Sequence, residues 1–383
     1  MTKYIHAKAI VLDTETVENA YLAITDQGLF GEIVKDLPAG GEVIDYSDYT
    51  LAPGLVDTHI HGYKSHDVMD NDFEGIKVMS EGLLACGVTS WLPTTLTDSV
   101  ENLNAVCKTI GDHYQEVTGA KIRGIFLEGP YFTEKHKGAQ NPKYMGDPSI
   151  DQLDQWNDLS GDLVNKIAIA PERKGVTDFI KFASSKDIHT ALAHSDATYD
   201  QAKAAVDAGA NIFIHTFNGM SGLHHREPGM VGAALTLKDV FAELICDGHH
   251  VHPVAADIVM KTRGTDETVL ITDCMRAGGL GEGPSRLGEF EVEVKDGAAR
   301  LKESGNLAGS ILELIQAVQN VVAWEIASLP DALRMASLNP AKSVNIDNVC
   351  GRIKAGYAAD FILVDDQGHL QATYLDGQER FHA

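Results

Sequence analysis

Asp57-Thr58-His59-Ile60-His61 follows the apolar stretch 51–56, and its reading decides how the rest of the chain is understood. In an extended strand, side chains two residues apart share a face. At ~3.3 Å of rise per residue, His59 and His61 stand about 7 Å apart along one strand edge, where two imidazoles can converge on one cation. Alone, such a pair often sits on a polar surface and binds nothing. Its meaning comes from Glu128, His194, His215 and Asp273, each at the C-terminal end of another apolar, strand-like run.

Eight such runs are expected as strands: 55–61, 89–95, 122–128, 167–172, 190–194, 212–215, 241–247 and 269–273. Helix-like segments lie between them at 73–86, 100–117, 178–185, 199–208 and 253–261. Strands alternating with helices over roughly 280 residues are what a (β/α)8 TIM-like barrel requires. An open, doubly wound sheet would carry a glycine-rich phosphate turn after an early strand; here the strand ends carry His, Glu and Asp. The run Gly278-Gly279-Leu280-Gly281-Glu282-Gly283 is not followed by Lys-Ser/Thr, so it reads as a flexible loop near the mouth rather than a P-loop.

Short strand-like segments with turns fill the first 52 residues and return at the end, around Gly351-Arg352-Ile353 and Asp360-Phe361-Ile362-Leu363-Val364-Asp365. Neither end makes a stable sheet alone. The expected organisation is therefore a small β-sandwich domain assembled from 1–52 and 346–383, with the barrel spanning 53–345.

Composition narrows the function. The chain has 383 residues, 44% of them hydrophobic, and 31 basic against 55 acidic residues give a formal net charge of −24. Nucleic acid and anionic membranes need a cationic footprint, so neither is expected as a partner. An anionic substrate would need a local basic pocket. The cysteines at 86, 107, 246, 274 and 350 form no C-x-x-C pair, which excludes a cysteine-built zinc site and fits a reducing, cytoplasmic setting. No signal peptide is read at the N-terminus, and no run approaches the ~18 apolar residues of a membrane span.

In a barrel, the C-terminal ends of all strands open on one mouth. His59 and His61 arrive there from the first strand, Glu128 from the third, His194 from the fifth, His215 from the sixth and Asp273 from the eighth. Four imidazoles and two carboxylates suit a divalent ion such as Zn, Fe, Mn or Co, with Glu128 placed to bridge two positions. One buried histidine is usually satisfied by local hydrogen bonds; six such residues at strand ends are not read that way. Arg226 is the residue expected to hold an anionic group, because a guanidinium pairs phosphate oxygens with two donors.

Pro53-Gly54-Leu55-Val56-Asp57-Thr58-His59-Ile60-His61-Gly62, the single histidines ending strands five and six, and Asp273 ending strand eight resemble the metal-dependent amidohydrolase superfamily. Many of its members carry a bridging lysine on strand four, but Ile167-Ala168-Ile169-Ala170-Pro171-Glu172 has none near its end. Leu127-Glu128-Gly129-Pro130, Lys137-Gly138-Ala139-Gln140-Asn141-Pro142, His215-Thr216-Phe217-Asn218-Gly219-Met220, Arg226-Glu227-Pro228-Gly229, Asp247-Gly248-His249-His250-Val251 and Leu307-Ala308-Gly309-Ser310 are similar to the N-acetylglucosamine-6-phosphate deacetylase subgroup.

That resemblance implies hydrolysis of an N-acetyl amide on an amino-sugar phosphate, with Asp273 as general base and acid. It implies one metal at Glu128/His194/His215 and leaves open a second at His59/His61/Glu128, since some members lack the first pair. Gln140, Asn218, Gly219, Arg226, His250 and Leu307 would contact substrate, and some members have His where Gln140 stands. A homodimer, with pocket residues contributed across its interface, is also implied. The galactosamine epimer, another superfamily activity and a non-catalytic sugar-phosphate-binding barrel are the competing readings.

Overall fold

The computed structural model describes residues 2–383. The chain opens with four strands, β1 (Lys3–Val11), β2 (Thr16–Ile24), β3 (Phe30–Val34) and β4 (Glu42–Pro53). Eight parallel strands follow: β5 (Leu55–Ile60), β6 (Val88–Pro93), β7 (Ile125–Tyr131), β8 (Val164–Ile169), β9 (His189–Leu192), β10 (Ile212–Phe213), β11 (Phe241–Leu244) and β12 (Thr268–Leu270). Their pairing runs β5–β6 and then β7 through β12 in order. Two bridges close the ring. Thr94, just past β6, pairs with Phe126 of β7, and Ile60 of β5 pairs with Cys274, just past β12. At this last seam Asp273 N donates to His59 O at 2.8 Å and His61 N to Cys274 O at 2.9 Å. The expected barrel is present, and three of its expected ligands lie on its closing seam.

The barrel interior is lined by Val56, Leu92, Phe126, Ala168, Ala191, Ala193, Ile212 and Ile214, all fully buried. Three alanines in adjacent strands keep this layer thin, which leaves room for larger polar side chains above and beside it. Helices cover the outside. Val100–His113 and Tyr199–Ala208 begin at the expected places, on caps from Ser99 and Thr198 whose side chains accept from Asn102 N and Gln201 N. The helices Ile150–Ser160 and Leu314–Ala323 were not read from the sequence.

Beyond the glycine-rich turns 278–283, the chain forms a three-stranded antiparallel sheet, β13 (Gly283–Leu287), β14 (Phe290–Lys295) and β15 (Ala298–Leu301). Asp296 and Gly297, with φ of 52° and 75°, make the tight β14–β15 turn. Leu287 from this sheet reaches the barrel mouth.

The last strands, β16 (Phe361–Val364), β17 (Leu370–Leu375) and β18 (Gln378–His382), join the first four in one sheet ordered β18-β17-β16-β4-β1-β2-β3. The sheet curls. Phe30 on β3 and Phe361 on β16 are not on neighbouring strands, yet their rings lie 6.2 Å apart across a core that includes Ile5, Leu22 and Tyr374. Along β16 the pleat divides the work: Phe361 and Leu363 face this small core, and Ile362 and Val364 pack into the barrel's outer core.

Candidate metal centre

His194, His215 and Asp273 follow the ends of β9, β10 and β12 by two or three residues, whereas His59 lies within β5 and Glu128 in the middle of β7 rather than at its expected end. His194, His215 and Asp273 have φ of 42°, 32° and 49°, a left-handed backbone that costs a non-glycine residue roughly 1–3 kcal/mol. The turn breaks the alternation of the strand and swings the side chain over the mouth. Gly219 stands against this arrangement at φ 62°; a Cβ there would lie 2.7 Å from His194 Nδ1, so only glycine fits.

Glu128 is the hub. Its Oε1 lies 3.3 Å from His194 Nε2, 3.2 Å from His215 Nε2 and 3.5 Å from His59 Nε2; its Oε2 lies 3.2 Å from His61 Nε2. Asp273 Oδ1 is 3.0 Å from His61 Nε2 and 3.5 Å from His59 Nε2. The outward nitrogen of each imidazole is engaged: His61 Nδ1 with Thr94 O at 3.1 Å, His194 Nδ1 with His136 O at 2.8 Å, His215 Nδ1 with Asn218 O at 3.1 Å, and His59 Nδ1 with Glu243 Oε2 at 3.2 Å. An acceptor at Nδ1 fixes the proton there and leaves the Nε2 lone pair facing inward. Four lone pairs and two carboxylates thus face a common space around Glu128. His194 and His215 Nε2 approach to 3.2 Å, and His59 Nε2 is buried with no hydrogen-bond partner. Such a donor set fits divalent cations, and two buried triads form: His59/His61/Glu128 and Glu128/His194/His215.

The electrostatics favour added positive charge. Burial alone would push the Glu128 carboxyl up, but His59, His194 and His215 hold it well below its ordinary range. Burial likewise opposes charge on His59, yet Asp273 and Glu128 reverse this and lift it to about 9; His61 is raised well above the usual value against the same penalty, by Asp273 and Glu128. His215 goes the other way, held down chiefly by burial. When protons serve the cluster, they therefore collect on the His59/His61 side. A cation entering that side must displace them, so its affinity is expected to fall about tenfold per pH unit, per proton displaced, as pH drops below about 9. Calorimetric titration with Zn²⁺ at pH about 6 and about 8 checks this; equal affinities at both would contradict it.

The cavity above the centre holds about 260 Å³ and is lined by His61, Glu128, His194, His215 and Asp273 together with Gln140, Asn218, Gly219, His250 and Leu307. Gln140 Nε2 donates to Glu128 Oε2 at 2.6 Å. Asn218 Nδ2 is buried with no protein partner. His250 Nδ1 is held by Asp247 Oδ2 at 2.6 Å, which leaves its other nitrogen for the cavity. Arg226 is the exception. It lies on an exposed turn, with Nη1 2.7 Å from His225 Nε2, and lines a separate cleft with Lys135, Asp196 and Tyr199. The turn in which His224 N and Glu227 O bond each other points it outward, so within one chain it does not meet the other expected substrate residues.

Sequence reasoning missed Glu243 and Lys166, both fully buried beneath the centre. Their signal was a charge inside an apolar strand: Phe241-Ala242-Glu243-Leu244 and Val164-Asn165-Lys166-Ile167.

The family model for amidohydrolases matches residues 50–380. The N-acetylglucosamine-6-phosphate deacetylase of Vibrio furnissii is 38% identical over 379 residues, covering 98% of this chain and 94% of that protein. The N-acetylgalactosamine-6-phosphate deacetylase of Escherichia coli O157:H7 is also 38% identical and covers 99% of both. The crystal structure of the N-acetylglucosamine-6-phosphate deacetylase of Thermotoga maritima superposes with a TM-score of 0.89 at 32% identity over the whole of each chain. A Mycobacterium smegmatis deacetylase mutant in complex with N-acetyl-D-glucosamine-6-phosphate gives 0.92 at 28% identity over 99% of each.

Proposed function

The chain belongs to the amidohydrolase family, and from that membership we infer its reaction: removal of the acetyl group from N-acetylglucosamine 6-phosphate, giving glucosamine 6-phosphate and acetate. The observation that carries the reading is Asp273 beside the Glu128/His194/His215 triad on the wall of one cavity. A divalent cation held by these residues would supply Lewis acidity, drawing electron density from the acyl oxygen and making a neighbouring water more acidic.

The protein's own residues account for the proton traffic. His59 and His61 overcome the effect of burial and keep the Asp273 carboxyl below its usual range, so it is ionised and ready to accept. It takes a proton from water as the oxygen–carbon bond forms, and returns one to nitrogen as the carbon–nitrogen bond breaks. An amine leaves only when protonated, so both transfers fall to the same side chain. Asn218, Gly219, His250 and Leu307 border the space for the sugar, and the Asp247–His250 pair presents a polar ring edge suited to phosphate oxygens.

Arg226 serves the phosphate, in this proposal, from the second subunit of a homodimer. Its exposure, and that of Leu223 three residues before it, leave this turn free to meet another protein surface. On this reading Arg226→Met raises KM for the phosphorylated sugar at least about tenfold and changes kcat little, since charge-assisted contacts to phosphate are worth ~1.5–3 kcal/mol. An unchanged KM would remove Arg226 from the site.

The galacto epimer is the second reading, carried by the Escherichia coli relative. Acetate release from both 6-phosphates, compared as kcat/KM, tests the assignment; a protein inert on both would overturn it. No helix among the described residues is long and apolar enough to cross a membrane. All five cysteines are free and buried, which supports a reducing, cytoplasmic setting.

A further inference from the structure

Three of the four inward-facing imidazoles rest their Nδ1 on a main-chain carbonyl: His61 on Thr94, His194 on His136, His215 on Asn218. His59 alone rests on a carboxylate, Glu243. A charged partner at that atom makes the opposite nitrogen a stronger donor than a neutral carbonyl does. Glu243 is itself held. Its other oxygen receives Lys166 Nζ, which also lies 3.5 Å from Thr58 O, in the backbone next to His59. Phe126 finishes the assembly, with its ring 3.9 Å below Lys166 Nζ and edge-on to the His59 ring at 4.9 Å. Every one of these groups is fully buried. None of Lys166, Glu243 and Phe126 lines the cavity, so none is placed to touch substrate.

A buried ion pair is weak evidence for stability, because desolvation offsets its attraction and apolar residues would fill the space as well. The pair needs another reason, and its geometry supplies one: it is aimed at the single histidine that belongs to the His59/His61/Glu128 triad and does not face the cavity. We propose that Glu243, fixed by Lys166, is a positioning residue that builds the second metal position, orienting His59 and strengthening it as a donor. The proposal rests on the metal-centre reading and deepens it: the two positions are unequal, and the ion pair underneath sets the affinity of one.

The test is Zn²⁺ stoichiometry and affinity by elemental analysis and calorimetry, on wild type and on Glu243→Gln. Wild type should take two equivalents. Glu243→Gln should keep the one at Glu128/His194/His215 and bind the second about 10–100-fold more weakly. Glu243→Asp, which restores the charge, should recover part of that loss. The double variant Lys166→Met/Glu243→Gln leaves no unpaired ammonium, so it separates folding from ligand strength. It should fold and show the same weak second site. A double variant with normal second-site affinity, a Gln variant that holds both ions as tightly as wild type, or a wild type that takes only one would each overturn the proposal. No uptake by any of the proteins would sink the metal centre itself, a different failure.

Discussion

Asp273→Asn is expected to cut deacetylation by about 10³-fold or more in kcat while the protein keeps its cation at Glu128/His194/His215. The substitution preserves shape and the polar contact to His61, now 3.0 Å from Oδ1, but an amide cannot accept a proton. Hydrolysis asks for two transfers through this one group, so both halves of the reaction slow together. KM should change little, since the loss falls on the chemical step. Steady-state acetate release with metal analysis on the same sample decides it. Activity within tenfold of wild type would end the acid–base assignment; loss of the Glu128-side metal would make Asp273 a structural ligand first.

Glu128→Gln should have the larger effect on metal. Both triads share this residue, and its two oxygens face four Nε2 atoms while accepting from Gln140. Glutamine removes the charge that counters the cation. It also turns an N–H₂ either into the ring of histidine nitrogens or against the Gln140 amide, where two donors would face each other. Ligands in structural zinc sites share ~10–16 kcal/mol, so losing one that serves two positions should weaken binding well over 100-fold. Elemental analysis after dialysis should find no metal, with acetate release absent. A variant that retains one equivalent would show that the histidines suffice, and would remove Glu128 as the hub.

The residues of the candidate centre could be brought together from the sequence because a barrel gathers strand ends whatever their separation along the chain. His194 and His215 needed only a run of apolar residues before them to be placed. Glu243 and Lys166 were not legible, for a reason of parity. A charge within a strand reads as a solvent face, and whether position 243 points inward depends on a register that only pairing to the neighbouring strands sets. Arg226 differs: its chemistry was readable but its direction within the chain was not, since a turn of exposed residues carries no core pattern to orient it. The sheet 283–301 lay behind glycines that promised only a loop, although Asp296-Gly297 marked its hairpin. The helix Ile150–Ser160 was hidden by polarity; only Leu153 and Trp156 among its large apolar residues are buried.

The curled sheet that joins both ends of the chain has a consequence for synthesis. β4 bonds β1 early, but its other edge, at Thr50 to Pro53, waits for β16, roughly 300 residues later. At ~5–20 residues per second, translation takes roughly 15–60 s to deliver Phe361 to the core where Phe30 already lies. During that interval the nascent chain presents an unpaired strand edge and a half-covered apolar face to its surroundings. The barrel can close first; the small sheet is completed last, and the ribosome's pace sets how long its open edge is available to a chaperone or to a neighbouring chain.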